Sequence, residues 1–188
     1  MGREFELKFR ADEGILAAIG AEYGPFSEIS METIYYDTPD RDFRRLRWTL
    51  RRRLENGNPV CTVKTPAPDG GRGEWEVPCG DIMEALPILA EQGAPAEVWA
   101  LSHRGLTPVC GARFVRLAAV IAREDCVVEL ALDRGVLLGA ARELPFAEVE
   151  VELKQGSESG AVAFAQNLAH RFGLVPEPRS KVQRAMEL

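Results

Sequence analysis

Two segments far apart in the chain alternate charged and apolar residues without a break. They are residues 4–9, with the sequence EFELKF, and residues 148–153, with the sequence EVEVEL. Because successive side chains of a β-strand point to opposite faces, each segment predicts a strand with one charged face and one apolar face. A sheet that contains both strands needs a polar space on one side and an apolar core on the other.

Most of the remaining chain favours strands joined by turns. Further strands are predicted at residues 32–38, 47–54, 59–65, 73–78, 109–121, 126–133 and 136–140. Turn-rich segments at residues 55–59 and 66–71 separate neighbouring strands. Three helices are predicted, at residues 12–22, 81–92 and 157–172, with Asp12, Asp81 and Ser157 at their starts and Gly173 at the end of the last. The expected class is mostly β (α+β), with an antiparallel, hairpin-rich sheet and a few helices.

The polar faces of these strands carry mainly acids and bases. A polar face of a soluble sheet normally meets water. The charged positions include Glu4, Glu6, Lys8, Arg51, Arg53, Lys64, Arg72, Glu74, Glu76, Arg116, Glu129, Asp133, Glu148, Glu150 and Glu152. If the sheet closes into a barrel wide enough for a ligand and water, these faces can line the lumen while the apolar faces pack under the helices. We therefore expect a closed, eight-stranded antiparallel barrel with a charged lumen, packed outside by a few helices.

A lumen with this composition has a need for bound ions. Three carboxylates on one strand repel each other strongly where the dielectric constant is low. Neutralising one, as in Glu150→Gln, is expected to leave the metal-free protein at least as stable as the parent. Clustered carboxylates suit a hard cation such as Mg²⁺ or Mn²⁺. Arginine and lysine bind phosphate oxygens, so a polyanion that spans metals and arginines is the expected ligand.

The order of these motifs resembles the CYTH superfamily, the triphosphate tunnel metalloenzymes. The likeness begins with the ExExK pattern of Glu4, Glu6 and Lys8 and extends over nearly the whole chain. It continues through residues 35–38, residues 50–53, residues 62–64, Arg72 with Glu74, Arg116, residues 129–133, residues 148–152, and Ser180-Lys181 with Arg184. The bacterial inorganic triphosphatases of this superfamily are the most similar members. In many of them the CYTH domain precedes a helical CHAD domain, which is not recognised in residues 1–188. One CYTH-like domain over residues 1–188 is expected, either as a stand-alone protein or as the N-terminal part of a longer one.

The resemblance implies a role for each charged set. One or two divalent ions would be held by Glu4, Glu6, Glu148, Glu150 and Glu152. Asp133 is placed in the same metal set, although it and Glu129 could instead orient an arginine. The triphosphate would be bound by Lys8, Arg51, Arg53, Lys64, Arg72, Arg116, Lys181 and Arg184. Of these, Lys64, Arg116 and Lys181 are the candidate catalytic residues, which would stabilise charge as the anhydride opens.

Three details of the pattern leave alternatives open. In the family, the strand that corresponds to residues 50–53 usually has an aliphatic residue at the position of Arg52. Arg52 is therefore expected to face outward. Tyr35 and Tyr36 lie on opposite faces of their predicted strand, and one of them could reach the phosphates. The arginines that precede this strand are either solvated or lie at the tunnel mouth; they are Arg41, Arg44, Arg45 and Arg47.

The activity implied is metal-dependent hydrolysis of a triphosphate, with inorganic triphosphate the first candidate. The enzyme class would be a hydrolase acting on acid anhydrides. One alternative is a class IV adenylyl cyclase, which must also recognise adenine. The other is a binding module for polyphosphate or nucleotide without turnover, and the acidic set disfavours it because an anion receptor gains nothing from buried carboxylates.

Composition excludes several other classes. The net charge of -6 disfavours general binding of nucleic acid. The four cysteines show no CxxC pair and no neighbouring histidine cluster, so neither a zinc site nor a disulfide framework is expected. No apolar run approaches the length of a signal peptide or a membrane span. We therefore expect a cytoplasmic protein with a small-molecule triphosphate as its partner, no nucleic acid and no membrane, and a homodimer as one option for its assembly.

Overall fold

A computed structural model of the chain describes residues 2–66 and 72–188, with side chains from Glu4 onward. Nearly all of the turn predicted at residues 66–71 lies outside the described residues. In the described part of the chain, ten strands form one antiparallel sheet. The strands are β1 (Gly2–Glu4), β2 (Glu6–Arg10), β3 (Ser27–Asp37), β4 (Thr49–Glu55), β5 (Asn58–Pro66), β6 (Arg72–Pro78), β7 (Thr107–Ala122), β8 (Cys126–Leu138), β9 (Glu143–Gly156) and β10 (Val175–Pro176). The helices are α1 (Glu13–Tyr23), α2 (Asp42–Arg45), α3 (Ile82–Glu91), α4 (Ala96–Ser102), α5 (Glu158–Phe172) and α6 (Lys181–Ala185).

The strand order places the beginning of the chain at one end of the hydrogen-bonded ladder and again one strand short of the other end. The order is β1-β6-β5-β4-β3-β7-β8-β9-β2-β10. β1 pairs with β6, β2 pairs with β9, and only Phe5 separates β1 from β2. One short segment of chain therefore contacts two strands that lie far apart in the order.

The prediction of a mostly β (α+β) chain with a large antiparallel sheet is confirmed, while several strands differ from their predicted bounds. The sheet is antiparallel throughout, but it contains ten strands where eight were expected. The opening strand is divided at Phe5 because its two parts pair with different neighbours. Residues 126–138 form one continuous strand where two were predicted, because every residue from Val128 to Leu138 has a partner in β9.

The three predicted helices are confirmed with their caps. The side chains of Asp12, Asp81 and Ser157 each accept a hydrogen bond from a backbone N–H in the first turn of α1, α3 and α5. Gly173 ends α5 in the left-handed conformation, with φ of 65°. The three helices that were not predicted are short, and α6 contains five residues. A chain of that length shows no amphipathic period, which is the signal that identifies longer helices.

The helices cover the apolar faces of the sheet. α1 and α5 pack on β8 and β9, where Ile19, Leu130, Val149 and Leu168 are buried in one core. α3 and α4 pack on the strands around Val63 in a second core. The charged faces therefore turn away from these two cores, as the alternation predicted. Within the described residues, the helices are all too short or too polar to cross a membrane.

Candidate functional site

The charged faces of the strands enclose a cavity of about 550 Å³, which we call the inner chamber. Its wall includes eleven of the fourteen residues that the sequence predicts as site residues. They are Glu4, Glu6, Lys8, Arg51, Arg53, Lys64, Arg72, Arg116, Glu150, Glu152 and Lys181. The other three, Asp133, Glu148 and Arg184, are buried and do not line the chamber.

Strand register brings the acidic residues together. Glu6 of β2 and Glu129 of β8 both lie opposite Glu152 of β9, so three carboxylates form a row across three strands. Burial and the nearby Glu4 and Glu129 raise the pKa of Glu152, although Lys154 donates to it from 2.8 Å. This row concentrates negative charge on one wall of the chamber.

Glu4 has one carboxylate oxygen without a partner. Lys64 Nζ lies 2.5 Å from Glu4 Oε1 and 3.2 Å from Glu74 Oε1. Glu4 Oε2 is buried and has no hydrogen-bond partner in the part of the chain that the structure describes. A buried carboxylate oxygen left in this state is unfavourable unless a cation or a donor reaches it. The donor set of Glu4, Glu6 and Glu152 is of the all-oxygen kind that Mg²⁺ and Mn²⁺ prefer.

The opposite wall is basic. Arg51 and Arg53 are both buried on β4, and Arg53 Nε donates to Thr33 Oγ1 at 3.0 Å. Burial, with Arg51 and Arg116 nearby, lowers the pKa of Arg53 to about 10. Arg51 Nε is buried without a hydrogen-bond partner among the described residues. An anion in the chamber would satisfy this donor and offset the repulsion among the guanidinium groups.

A buried network of ion pairs reaches the chamber wall through Arg116, Glu150 and Lys181. Lys181 Nζ lies 2.8 Å from Asp133 Oδ2, 2.7 Å from Glu150 Oε1 and in contact with Glu148. Arg116 donates to both oxygens of Asp133, at 2.8 and 2.7 Å, and contacts Glu150.

The network therefore contains as many bases as acids. Arg184 contacts Glu148, so Asp133, Glu148 and Glu150 face Arg116, Lys181 and Arg184. Burial alone would raise the pKa of Glu150, but Lys181 and Arg116 outweigh it and hold the pKa well below its usual range. Oxygens of the three acids lie within 4.8 Å of one another, a spacing that could hold a metal ion. Lys181 already supplies a cation to all three.

The structure also places the residues whose roles were left open. Tyr35 lines the inner chamber, while Tyr36 packs against the core under α3. Arg52 is half-buried and does not line the chamber, as expected for an outward position. Asp133 orients Arg116, which is the alternative that the sequence left open for it.

Lys154 is a chamber residue that the sequence reasoning missed. It lies on the wall and forms ion pairs with Glu152 at 2.8 Å and with Glu129 at 3.7 Å. The signal was present, because Lys154 extends the alternation that begins at Glu148 by one more position of the same face.

Comparisons with known proteins agree with this architecture. The sequence profile of the CYTH domain matches residues 2–186. An inorganic triphosphatase of Haemophilus influenzae is 25% identical over 193 residues, which cover 98% of this chain and 54% of that protein. The chain thus spans about half the length of this relative.

Solved structures share the fold at lower identity. A proposed adenylate cyclase of Bacillus halodurans superposes with a TM-score of 0.65 and 22% identity, over 98% of each chain. A proposed adenylyl cyclase of Hippeastrum, described as having a dominant triphosphatase activity, gives 0.66 and 16%, over 97% of this chain and 94% of that one. The profile match covers almost the entire sequence, and the chain therefore belongs to the CYTH domain family.

Proposed function

We propose that this chain is a divalent-metal-dependent triphosphatase that hydrolyses a phosphoanhydride bond of inorganic triphosphate. The observation that carries the proposal is that one chamber contains an acceptor, Glu4 Oε2, and a donor, Arg51 Nε, that both lack a partner among the residues that the structure describes. The first calls for a cation and the second for an anion. A metal–triphosphate complex supplies both, and the similarity to an inorganic triphosphatase supports that choice.

The residues proposed to hold the metal are the carboxylates on the chamber wall. These are Glu4, Glu6, Glu150 and Glu152. A bound Mg²⁺ or Mn²⁺ would polarise phosphate oxygens and lower the pKa of an attacking water. Asp133 and Glu148 stay predictions as metal ligands. A direct role for either of them, or for Glu150, would require Lys181 to move away from it.

The residues proposed to bind phosphate are the cations that line the same chamber. Arg51 and Arg53 have the best access to an anion, because they lie side by side on β4 and their ion pairs, with Glu74 and Glu55, are long at 3.7 and 3.6 Å. Lys8, Lys64, Arg72 and Arg116 complete the cationic wall, and Arg184 acts through Glu148. Lys64, Arg116 and Lys181 are proposed to stabilise the charge that develops as the anhydride opens.

The closed tunnel is also part of the proposal. β1 and β2 are consecutive in sequence and pair with β6 and β9, so residues 2–10 connect the first strand of the ladder to the ninth through the chain itself. A closed wall would exclude bulk water and strengthen every charge interaction inside it.

The test is a direct assay of products. The purified chain is incubated with inorganic triphosphate, thiamine triphosphate or ATP, with Mg²⁺, Mn²⁺ or excess chelator, and phosphate, pyrophosphate and cyclic AMP are measured. Metal-dependent release of phosphate from inorganic triphosphate is expected. Cyclic AMP and pyrophosphate from ATP would establish the cyclase instead, and tight binding of triphosphate with no product would establish a binding module.

A further inference from the structure

A second cavity of about 630 Å³ adjoins the inner chamber, and we call it the outer chamber. The two cavities share wall residues, so they lie on either side of the same side chains. The shared residues are Tyr35, Thr49, Arg72, Ser180 and Val182. The remaining wall comes mainly from α2 and the residues that follow it, and from α6 with its flanking residues. A ligand too long for the inner chamber would enter this space next.

The outer chamber contains cations without partners. Arg44 and Arg47 are exposed on its wall, and within the described ranges neither guanidinium group has a hydrogen bond or an ion pair. Arg45, between them, points elsewhere and contacts Asp42. Arg47 adopts a left-handed backbone with φ of 58°, which is unfavourable for a residue other than glycine. The turn at Arg47 places on the chamber wall a guanidinium group whose positive charge has no acidic partner among the described residues.

The acceptors of the same wall are already engaged. The carboxylate of Asp37 accepts hydrogen bonds from the backbone N–H groups of Thr38, Phe43 and Arg44. Gln183 Oε1 accepts from the backbone N–H of Ser180 at 2.7 Å. Glu187 pairs with Arg179 at 3.0 Å. Arg44 and Arg47 are charged side chains of this wall without a partner among the described residues, and their guanidinium groups are donors only.

We propose that the outer chamber is a binding subsite for the phosphates of a linear inorganic polyphosphate that extends beyond the triphosphate in the inner chamber. This inference rests on the proposed function, because it assumes that a triphosphate unit occupies the inner chamber. Arg72 lies on the shared wall and would contact the chain between the two chambers. Arg44 and Arg47 would bind the following phosphates, since a guanidinium group matches two phosphate oxygens at once.

A nucleoside attached to the triphosphate is the other candidate for this space. Tyr36 and Trp48 on the wall offer surfaces on which a base could stack. A base also carries hydrogen-bond donors, whereas Asp37, Gln183 and Glu187 on this wall already accept hydrogen bonds from the protein itself. The unpaired guanidinium groups of Arg44 and Arg47 favour a polyphosphate over a nucleoside as the ligand of this chamber.

The experiment compares affinities in the absence of turnover. Binding of inorganic triphosphate, of a longer linear polyphosphate of defined length and of ATP is measured by calorimetry in metal-free buffer, for the parent and for the Arg44→Ala, Arg47→Ala and double variants. Arg142→Ala is the matched control, because Arg142 is an exposed arginine that lines neither chamber. The parent is expected to bind the longer polyphosphate more tightly than inorganic triphosphate. In the double variant, the ratio of the affinity for the longer polyphosphate to the affinity for triphosphate is expected to fall by roughly tenfold or more.

Three outcomes would overturn the inference. The parent could bind both chain lengths equally, the ratio could survive in the double variant, or Arg142→Ala could reduce it as much as the double variant does. A preference of the parent for ATP that Trp48→Ala abolishes would assign the chamber to a nucleoside. Failure of the proposed function is a separate result, because it appears as absent hydrolysis with metal while the binding ratios are measured without metal.

Discussion

Lys181 Nζ lies 2.7 Å from Glu150 Oε1, so the short helix α6 supplies a cation to the most acidic strand of the sheet. Arg116 of β7 contacts the other oxygen of Glu150. The sequence places Glu150 in the middle of three carboxylates that repel one another. In the structure its carboxylate is instead held between two positively charged side chains. This arrangement reverses the expected effect of removing its charge.

Glu150→Gln should lower the melting temperature of the metal-free protein. Removing one partner of a buried ion pair costs about 3 kcal/mol, and each kcal/mol corresponds to roughly 2–4 °C for a chain of this size. Thermal melts by circular dichroism in chelator provide the measurement, with Glu28→Gln, an exposed position of β3, as the control. A melting temperature equal to or above that of the parent would show that repulsion among the carboxylates dominates after all.

Glu4→Gln should reduce triphosphate hydrolysis by on the order of a hundredfold and raise the Mg²⁺ concentration needed for half of the remaining activity. The amide still accepts a hydrogen bond from Lys64, so the fold is expected to persist. Phosphate release is titrated against Mg²⁺ for the parent, for Glu4→Gln and for Glu32→Gln, which lies on the exposed face of β3. An unchanged Mg²⁺ requirement in Glu4→Gln would remove Glu4 from the metal site.

Arg51→Ala should raise the KM for inorganic triphosphate by roughly tenfold to a hundredfold, because a charge-assisted bond to phosphate is lost. Arg52→Ala is a matched control, since it removes the same side chain from the next residue of β4, off the chamber wall. Steady-state kinetics at saturating metal distinguish the two. Equal effects of the two substitutions would contradict the assignment of the faces of β4.

Glu177 should contribute stability that depends on pH. It is buried and accepts hydrogen bonds from the backbone N–H and the guanidinium group of Arg179. The hydrogen bond from the Arg179 side chain is the main reason that the pKa of Glu177 lies below its ordinary value of 4.5, despite the opposing effect of burial. A lowered folded-state pKa adds stability above the unfolded pKa, and that stability is lost as the pH falls through the folded pKa.

Glu177→Gln should therefore melt a few degrees below the parent at pH 7, and the two curves should converge well below pH 4.5. Melts at a series of pH values give the difference directly. If the gap between the two proteins stayed constant across the series, ionisation of Glu177 would not be the source of its contribution.

The sequence was sufficient to identify the faces of the strands, because that information is local. The alternation at residues 4–9 and 148–153 requires only that side chains of a strand point in opposite directions in turn. Once the two segments pair, Glu6 and Lys8 necessarily meet Glu152 and Glu150. This explains why most of the charged residues predicted for the site lie on one cavity wall.

The contacts made by α6 could not be predicted in the same way. The helix is five residues long, and its place under β7 and β8 depends on the packing of the whole sheet. A local signal did exist, since Ser180 and Gln183 form a capping box that marks a helix start. No local pattern predicts that Lys181 is buried and contacts three carboxylates on two strands, β8 and β9.

The pairing of β2 with β9 also has a consequence for how the protein is made. Arg10 and Glu148 are partners in the register although about 140 residues separate them along the chain. During synthesis the first strand leaves the ribosome long before its partner exists, and contacts of such large sequence separation form slowly. The nascent chain therefore carries an unpaired strand edge for most of its translation, a state open to wrong pairing with other chains. The charged face of that first strand also makes its unpaired edge a poor template for aggregation.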